Sequence, residues 1–111
     1  MTVKTDTRFN RDNEVGSIIA EQGYEWDEFH AWFYDGRLWW ATAGGCSCDS
    51  WADRVEDGDI IPEPVASTHD LFRAASKYKD ETSGVDIDDY TRFVIQVNTR
   101  MKELAAKAGV Q

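Results

Sequence analysis

Two cysteines one residue apart, Cys46 and Cys48, have the type and spacing that point most directly to chemistry. Residues two apart in a strand point to the same side, so both sulfurs can reach one metal ion. Structural zinc sites use four ligands, commonly Cys and His, and the chain has two histidines, His30 and His69. His69 lies in the first turn of a predicted helix and can swing towards the pair. A zinc or redox site on Cys46, Cys48 and His69 is therefore one hypothesis.

Other properties of the cysteine pair favour a simpler interpretation. The predicted strand register places His30 on the face opposite Cys46 and Cys48. A disulfide between them would close a very small ring and be strained and easily reduced, and a cytosolic compartment keeps thiols reduced by default. The preferred prediction is two small packing thiols near a strand end and no cofactor, with zinc as the alternative.

The sequence holds no other motif of known chemistry. It lacks a nucleophile motif, a phosphate-binding loop, a dinucleotide-binding glycine pattern and the metalloprotease His-Glu-x-x-His pattern. The acids concentrated in 49–63 and 80–89 single out no catalytic pair, and they are interpreted as solvated loops and helix N-termini. We therefore predict that the chain is not an enzyme.

Length and charge narrow the class of protein further. The chain has 111 residues and a net charge of −9, which predicts one domain over 1–111 and argues against direct nucleic-acid binding. The same charge is compatible with a basic partner and with mere solubility. No apolar run approaches the roughly 20 residues of a membrane helix, and the N-terminus lacks a signal-peptide segment. We expect a cytoplasmic protein with no membrane contact.

The clearest structural element is a hairpin over residues 24–46. Asp35-Gly36 lies between two aromatic-rich runs and predicts a two-residue type I′ turn, so that Tyr34 faces Arg37. One face of the hairpin then carries Tyr24, Trp26, His30, Trp32, Tyr34, Trp39 and Ala41. The other face carries Phe29, Ala31, Phe33, Leu38, Trp40, Cys46 and Cys48.

Both hairpin faces are apolar, so one of them needs a cover from outside the helices or a partner. Trp and Tyr are enriched among the residues that dominate binding interfaces. The sequence therefore predicts a binding surface that comprises Trp26, Trp32, Trp39, Trp51, Asp49, Asp53 and Asp57.

Helices can cover one face of the hairpin, and whether the N-terminal segment or the helices also cover the second face is left open by the sequence. Residues 1–12 are expected to form a flexible arm, and 14–22 is compatible with a strand or a short helix, of which the strand is favoured. An acidic connector with Pro62 and Pro64 follows the hairpin. Helices are predicted over about 67–79 and 87–108 from their caps and apolar periodicity. The whole is an α+β domain with a small antiparallel sheet of two to three strands packed by two helices.

The stretch Gly45-Cys46-Ser47-Cys48, followed by Ser50, Trp51 and Asp53, carries a family resemblance. It resembles a family of small uncharacterised proteins of tailed phages, notably phages of actinobacteria, over roughly residues 24–75. Their shared feature is an aromatic hairpin that ends in this motif and is followed by helices. The family often has a proline after the second cysteine, where this chain has Asp49. The resemblance implies expression in an infected bacterial cytoplasm and no particular activity.

These observations favour a small acidic phage protein that acts without catalysis by binding a host or phage protein. The motivating features are the two-faced aromatic hairpin and the net charge of −9. A metal-binding or redox domain that uses the cysteine pair is the alternative. A third possibility is a DNA mimic that blocks a DNA-binding protein through charge. A homodimer that hides the second aromatic face is also compatible with the sequence.

Overall fold

The computed structural model describes residues 9–109, except for the side chains of residues 108 and 109. The elements are β1 (Glu14–Gln22), β2 (Glu25–Tyr34), β3 (Arg37–Cys46), α1 (Trp51–Glu56), β4 (Glu63–Val65), α2 (Thr68–Glu81) and α3 (Ile87–Gly109). The fold is α+β, as predicted. The sheet has four antiparallel strands in the order β1-β2-β3-β4, one more than the predicted upper limit of three.

The β2–β3 hairpin has the turn and the register that the sequence predicts. Asp35 and Gly36 both have positive φ, of 55° and 76°, as a type I′ turn requires. Trp32 pairs directly with Trp39 across the hairpin. Since side chains alternate along a strand, the two predicted faces are confirmed for the residues within β2 and β3, whereas Tyr24 and Cys48 lie outside these strands.

The first strand, β1, confirms the favoured interpretation of residues 14–22. Its register against β2 shifts between Glu14 and Gly16, which marks a β-bulge. Glu14 pairs with Trp32, and Ser17 pairs with His30. Directly opposed residues share a face of an antiparallel sheet, so the bulge places both Glu14 and Ser17 on the face of His30.

The opposite face of the sheet packs against α2 and α3. Phe29 is fully buried at its centre. Its ring centroid lies 5.3 Å from those of Trp40 and Tyr78 and 5.4 Å from that of Phe93. The helices supply the apolar stripes that their periodicity predicts: Leu71, Ala75 and Tyr78 from α2, and Phe93 and Val97 from α3.

The caps of α2 and α3 follow from local sequence. Ser67 is the N-cap of α2, and its hydroxyl oxygen accepts a hydrogen bond of 3.2 Å from the Asp70 backbone N–H. Asp86 and Asp89 each accept a 3.0 Å bond from the other's backbone N–H at the start of α3. Such bonds satisfy N–H groups that have no partner within the helix. The predicted helix starts are therefore confirmed to within a residue or two.

The segment between the hairpin and α2 was predicted as a connector, but it contains α1 and β4. α1 begins after Ser50, whose hydroxyl caps the Asp53 N–H at 3.3 Å. The two prolines disfavour a helix at and just before their own positions, and α1 ends at Glu56, well before them. Pro64 pairs opposite Trp39 in β4, which a proline tolerates because β4 is an edge strand.

Gly16 lies where α3 crosses β1. A Cβ atom at this position would lie 3.1 Å from side-chain atoms of Phe93 and Val97, both fully buried. We expect Gly16→Val to lower the free energy of unfolding by about 1–3 kcal/mol through overpacking. Urea denaturation measures it, with Ile19→Val on the exposed face of the same strand as the control. An unchanged midpoint for Gly16→Val would contradict the close approach of α3.

The described part of the N-terminal segment begins at Phe9. Residues 1–8 of the predicted flexible arm lie outside the described residues. Phe9 itself is buried, at 8% exposure, and the Phe33 N–H donates a 2.9 Å hydrogen bond to the Asn13 carbonyl. Within residues 9–109, none of the helices has the length and apolarity needed to cross a membrane.

Candidate functional site

The face of the sheet that carries Trp32 has a small core of its own. Phe9, Trp32 and Ala41 are buried there, and the partly buried residues Tyr34, Trp39, Trp51 and Ile60 pack against them. The Phe9 ring lies edge-on at 5.4 Å from Trp32 and 5.1 Å from Trp39. Much of the face that the sequence leaves open for a partner is therefore covered by the chain itself.

The short helix α1 contributes one side chain to this face. The ring of Trp51 stacks on that of His30, with centroids 3.9 Å apart, and lies 6.2 Å from that of Trp32. These stacked contacts attach α1 to the sheet, since none of the α1 residues is fully buried. The position of Trp51 therefore depends on the loop that leads into α1.

His30 is held between two carboxylates on the same face. Its Nδ1 lies 2.7 Å from Glu14 Oε1, and its Nε2 lies 2.7 Å from Glu28 Oε1. A neutral imidazole has one N–H and can donate to only one carboxylate, whereas the imidazolium donates to both. The geometry is therefore complete only when His30 carries a positive charge.

The pKa of His30 agrees with this geometry. Burial opposes a charge and on its own would lower the pKa, but the hydrogen bonds and charges of Glu14 and Glu28 outweigh it. The pKa therefore lies above its ordinary value of 6.5. The indole face of Trp51 stacks on the ring and also stabilises a cation.

An open groove of about 710 Å³ runs between this face and α1, and we call it the His30 groove. Its walls combine aromatic rings with charged side chains, namely Phe9, Trp32, Trp51, Glu14, Glu28, His30 and Arg11. Its volume is within the range of roughly 300–1,000 Å³ that is usual for ligand sites. Aromatic faces beside carboxylates suit a cationic group.

The two cysteines form a disulfide, Cys46–Cys48, at the end of β3. Both residues are exposed, which differs from the prediction of two reduced, packing thiols. Cys46 is paired opposite Glu25 at the last position of the hairpin. Because both residues are exposed at the end of the strand, their sulfurs contribute little to the packing of the core.

The loop around the disulfide is fixed by side chains on both of its flanks. Arg54 donates from Nε to Asp49 Oδ2 at 2.7 Å and from Nη2 to the Gly44 carbonyl at 3.0 Å. Trp26 Nε1 donates to the Cys46 carbonyl at 3.0 Å and to Asp49 Oδ1 at 3.2 Å. The hydrogen bond from Arg54, with that from Trp26, holds the pKa of the Asp49 carboxyl below its usual range.

The potential metal ligands differ from the predicted set. The sulfurs of Cys46 and Cys48 and a carboxylate oxygen of Asp49 lie within 4.8 Å of one another. Among the described residues, neither His69 nor His30 joins this group. His69 is an exposed residue of the first turn of α2. In the described residues, the group that could hold a metal ion is therefore Cys46, Cys48 and Asp49.

The seven residues of the predicted binding surface fall into different environments. Trp32 is 3% exposed and meets Trp51 at the His30 groove. Trp39 is half-buried, and its Nε1 donates to the Tyr34 carbonyl at 3.0 Å. The remaining four surround the disulfide loop and α1: Trp26 under Arg54, Asp49 paired with Arg54, and Asp53 and Asp57 exposed.

The sequence interpretation missed the groups that line the His30 groove beside the tryptophans. It treated His30 as an ordinary strand residue. The spacing of Glu28 and His30, two apart in a predicted strand, is a signal that could have paired them. Glu14 and Phe9 gave no comparable signal, because a bulge and a long-range contact bring them there.

Comparison with known proteins identifies no relative of this chain. No protein-family model matches the chain, no curated protein matches its sequence and no solved structure matches its fold. The resemblance to small phage proteins therefore stays a prediction from the motif alone.

Proposed function

We propose that this protein acts by binding a basic segment of a partner protein in the His30 groove. The observation that carries the proposal is the convergence of Glu14 and Glu28 with the rings of Trp32 and Trp51 on one open groove. A Lys or Arg side chain can lie on an indole face and place its charge beside a carboxylate. Cation–π contacts contribute about 0.5–2 kcal/mol, depending on how fully they are desolvated.

The charge of the whole chain supports a basic partner. The net charge is −9, and complementary charge raises the rate at which two proteins associate. Arg11 and the imidazolium of His30 also line the groove and carry the same sign as the proposed ligand. The affinity should therefore rise when Arg11 is neutralised and fall when a groove carboxylate is neutralised.

The contacts of His30 support binding and not proton transfer. Both ring nitrogens are engaged by carboxylates, and the residue is 8% exposed. A general base must reach the proton that it removes from a substrate. His30 is better placed to orient Glu14 and Glu28 as parts of a recognition surface. The proposed activity is accordingly non-enzymatic, and the phage resemblance predicts a partner in an infected bacterial cytoplasm.

A selection from a library of random peptides tests the chemistry of the partner. We expect the selected peptides to be rich in Lys or Arg next to an apolar residue. For one synthetic selected peptide, Glu28→Gln should weaken binding about tenfold, which corresponds to about 1.4 kcal/mol. Arg11→Ser should strengthen it, and isothermal titration calorimetry measures both.

The matched control removes one negative charge elsewhere. Asp88→Asn changes an exposed residue in the first turn of α3 and should leave the affinity nearly unchanged. Equal weakening by Asp88→Asn and Glu28→Gln would reject the groove and indicate diffuse attraction.

Trp51→Ala separates the proposal from the other hypotheses. If binding survives this change and depends steeply on salt, the DNA-mimic hypothesis is favoured over ours. If the native mass shows a dimer and the peptide competes with it, a second copy occupies the groove, and the heterologous-partner proposal is wrong.

A further inference from the structure

The Cys46–Cys48 disulfide lies at the surface, at the junction between β3 and the loop that leads to α1. Both cysteines are exposed, so an external thiolate has access to either sulfur. The chain has two cysteines in all. Any mixed disulfide formed with an external thiol can therefore be resolved within the chain only by the other member of this pair.

The cysteine pair lies beside both acidic and basic side chains. A carboxylate oxygen of Asp49 lies within 4.8 Å of both sulfurs, which would repel an approaching thiolate. Arg54 cancels that charge through its 2.7 Å bond to Asp49. Exchange rates depend on the thiolate fraction of the attacking thiol and on access to the sulfur, and access is open here because both cysteines are exposed. Glu25 on β2 lies opposite Cys46.

The loop that holds the disulfide also positions α1. The Asp49 N–H donates a 3.2 Å bond to the Cys46 carbonyl. Arg54, from within α1, bonds to Gly44 on one side of the cysteines and to Asp49 on the other. Trp51 in the same helix stacks on His30, so α1 contacts both the loop at the cysteines and the His30 groove.

We propose that Cys46–Cys48 is a thiol–disulfide exchange site whose redox state sets the packing of Trp51 at the His30 groove. An attacking thiolate forms a bond to one cysteine sulfur, and the S–S bond breaks to leave the other cysteine as a thiolate. A second equivalent of thiol then attacks the mixed disulfide. The protein disulfide and two thiols become the protein dithiol and the oxidised thiol, so the protein gains two electrons and two protons.

Native-state exchange is the first test. The folded protein is incubated with mixtures of reduced and oxidised glutathione, quenched with an alkylating reagent and weighed by mass spectrometry. We expect the alkylated fraction to follow the glutathione ratio reversibly without denaturant. A parallel series with dithiothreitol compares reduction of the disulfide by a dithiol with reduction by the monothiol glutathione. A disulfide that stays closed in excess of either reductant until the protein unfolds would reject the exchange site.

Two charge variants and a cysteine variant make the test specific. Arg54→Gln leaves Asp49 uncompensated and should slow reduction by anionic glutathione several-fold, whereas Asp49→Asn should not slow it. In oxidised glutathione, Cys48→Ser should accumulate one glutathione as a mixed disulfide on Cys46, because only an external thiol, and no second cysteine of the chain, can then release it. Equal rates for both charge variants would contradict the electrostatic argument.

The effect on the groove is measured separately, and this part rests on the proposed function. We expect reduction to change the near-ultraviolet circular dichroism of the Trp51–His30 stack and to weaken binding of the selected basic peptide. Equal peptide affinity in both redox forms would reject the coupling but leave the proposed function intact. If the oxidised protein binds no peptide, the proposed function is rejected. The exchange site is still tested independently by mass spectrometry of the alkylated protein.

Discussion

Replacement of Trp32 by alanine is expected to lower the free energy of unfolding by about 3–5 kcal/mol, as for other buried tryptophans. Trp32 is 3% exposed and contacts the rings of Phe9, His30 and Trp51. Its loss would open a cavity between β2 and α1 in a domain whose total stability is of the order of 5–15 kcal/mol. Chemical denaturation followed by far-ultraviolet circular dichroism measures the change.

Tyr24→Ala provides the aromatic control for Trp32→Ala. Tyr24 is 83% exposed, beside the start of β2, and its removal should change the free energy of unfolding by less than about 0.5 kcal/mol. If Trp32→Ala unfolds at the same denaturant concentration as the wild type, Trp32 does not belong to a stabilising core on its face of the sheet. Trp32 would then be available to a partner, as the sequence predicts.

His30→Gln is expected to remove a stabilisation that depends on pH. The folded-state pKa of His30 is raised above 6.5, so its contribution is fully present below that pH and is lost as the pH rises through the folded-state value. Below that range, loss of the charged hydrogen bonds to Glu14 and Glu28 should cost about 1.5–3 kcal/mol. The unfolding free energy of the wild type should therefore fall with rising pH across this window.

The His30→Gln variant should have a flatter profile over the same window, and the two curves should converge at high pH. His69→Gln makes the same change at an exposed position of α2 and should keep the wild-type profile. Parallel curves for the wild type and His30→Gln would show that His30 binds its proton no more tightly in the folded protein than in the unfolded chain. The imidazolium bridge between Glu14 and Glu28 would then be wrong.

The parts of the fold that the sequence predicts are those decided by near neighbours. The Asp35-Gly36 turn sets the hairpin register, because positive φ at both positions fits few residues other than these. The N-cap of α2 depends on Ser67 and a backbone N–H three residues later. α1 was missed because a helix of six residues leaves little periodicity to detect.

Half of the candidate site was within reach of the sequence. The sequence draws attention to the tryptophans, and Trp32 and Trp51 line the His30 groove. Their environment was not predictable, since burial depends on which distant segments fold over them. Phe9 covers Trp32 from the N-terminal segment, although that segment was predicted to be a flexible arm.

By itself, the sequence determined the hairpin and its two faces, the long helices, the acidic charge and the absence of a known catalytic motif. Only the tertiary structure decided which aromatic face is filled by the chain, that Glu14 meets His30, and that the cysteines lie exposed beside Arg54. The physical reason is the range of the interactions. Turns, caps and periodicity act over a few residues, whereas a bulge in β1 and the packing of α1 join residues far apart in the chain.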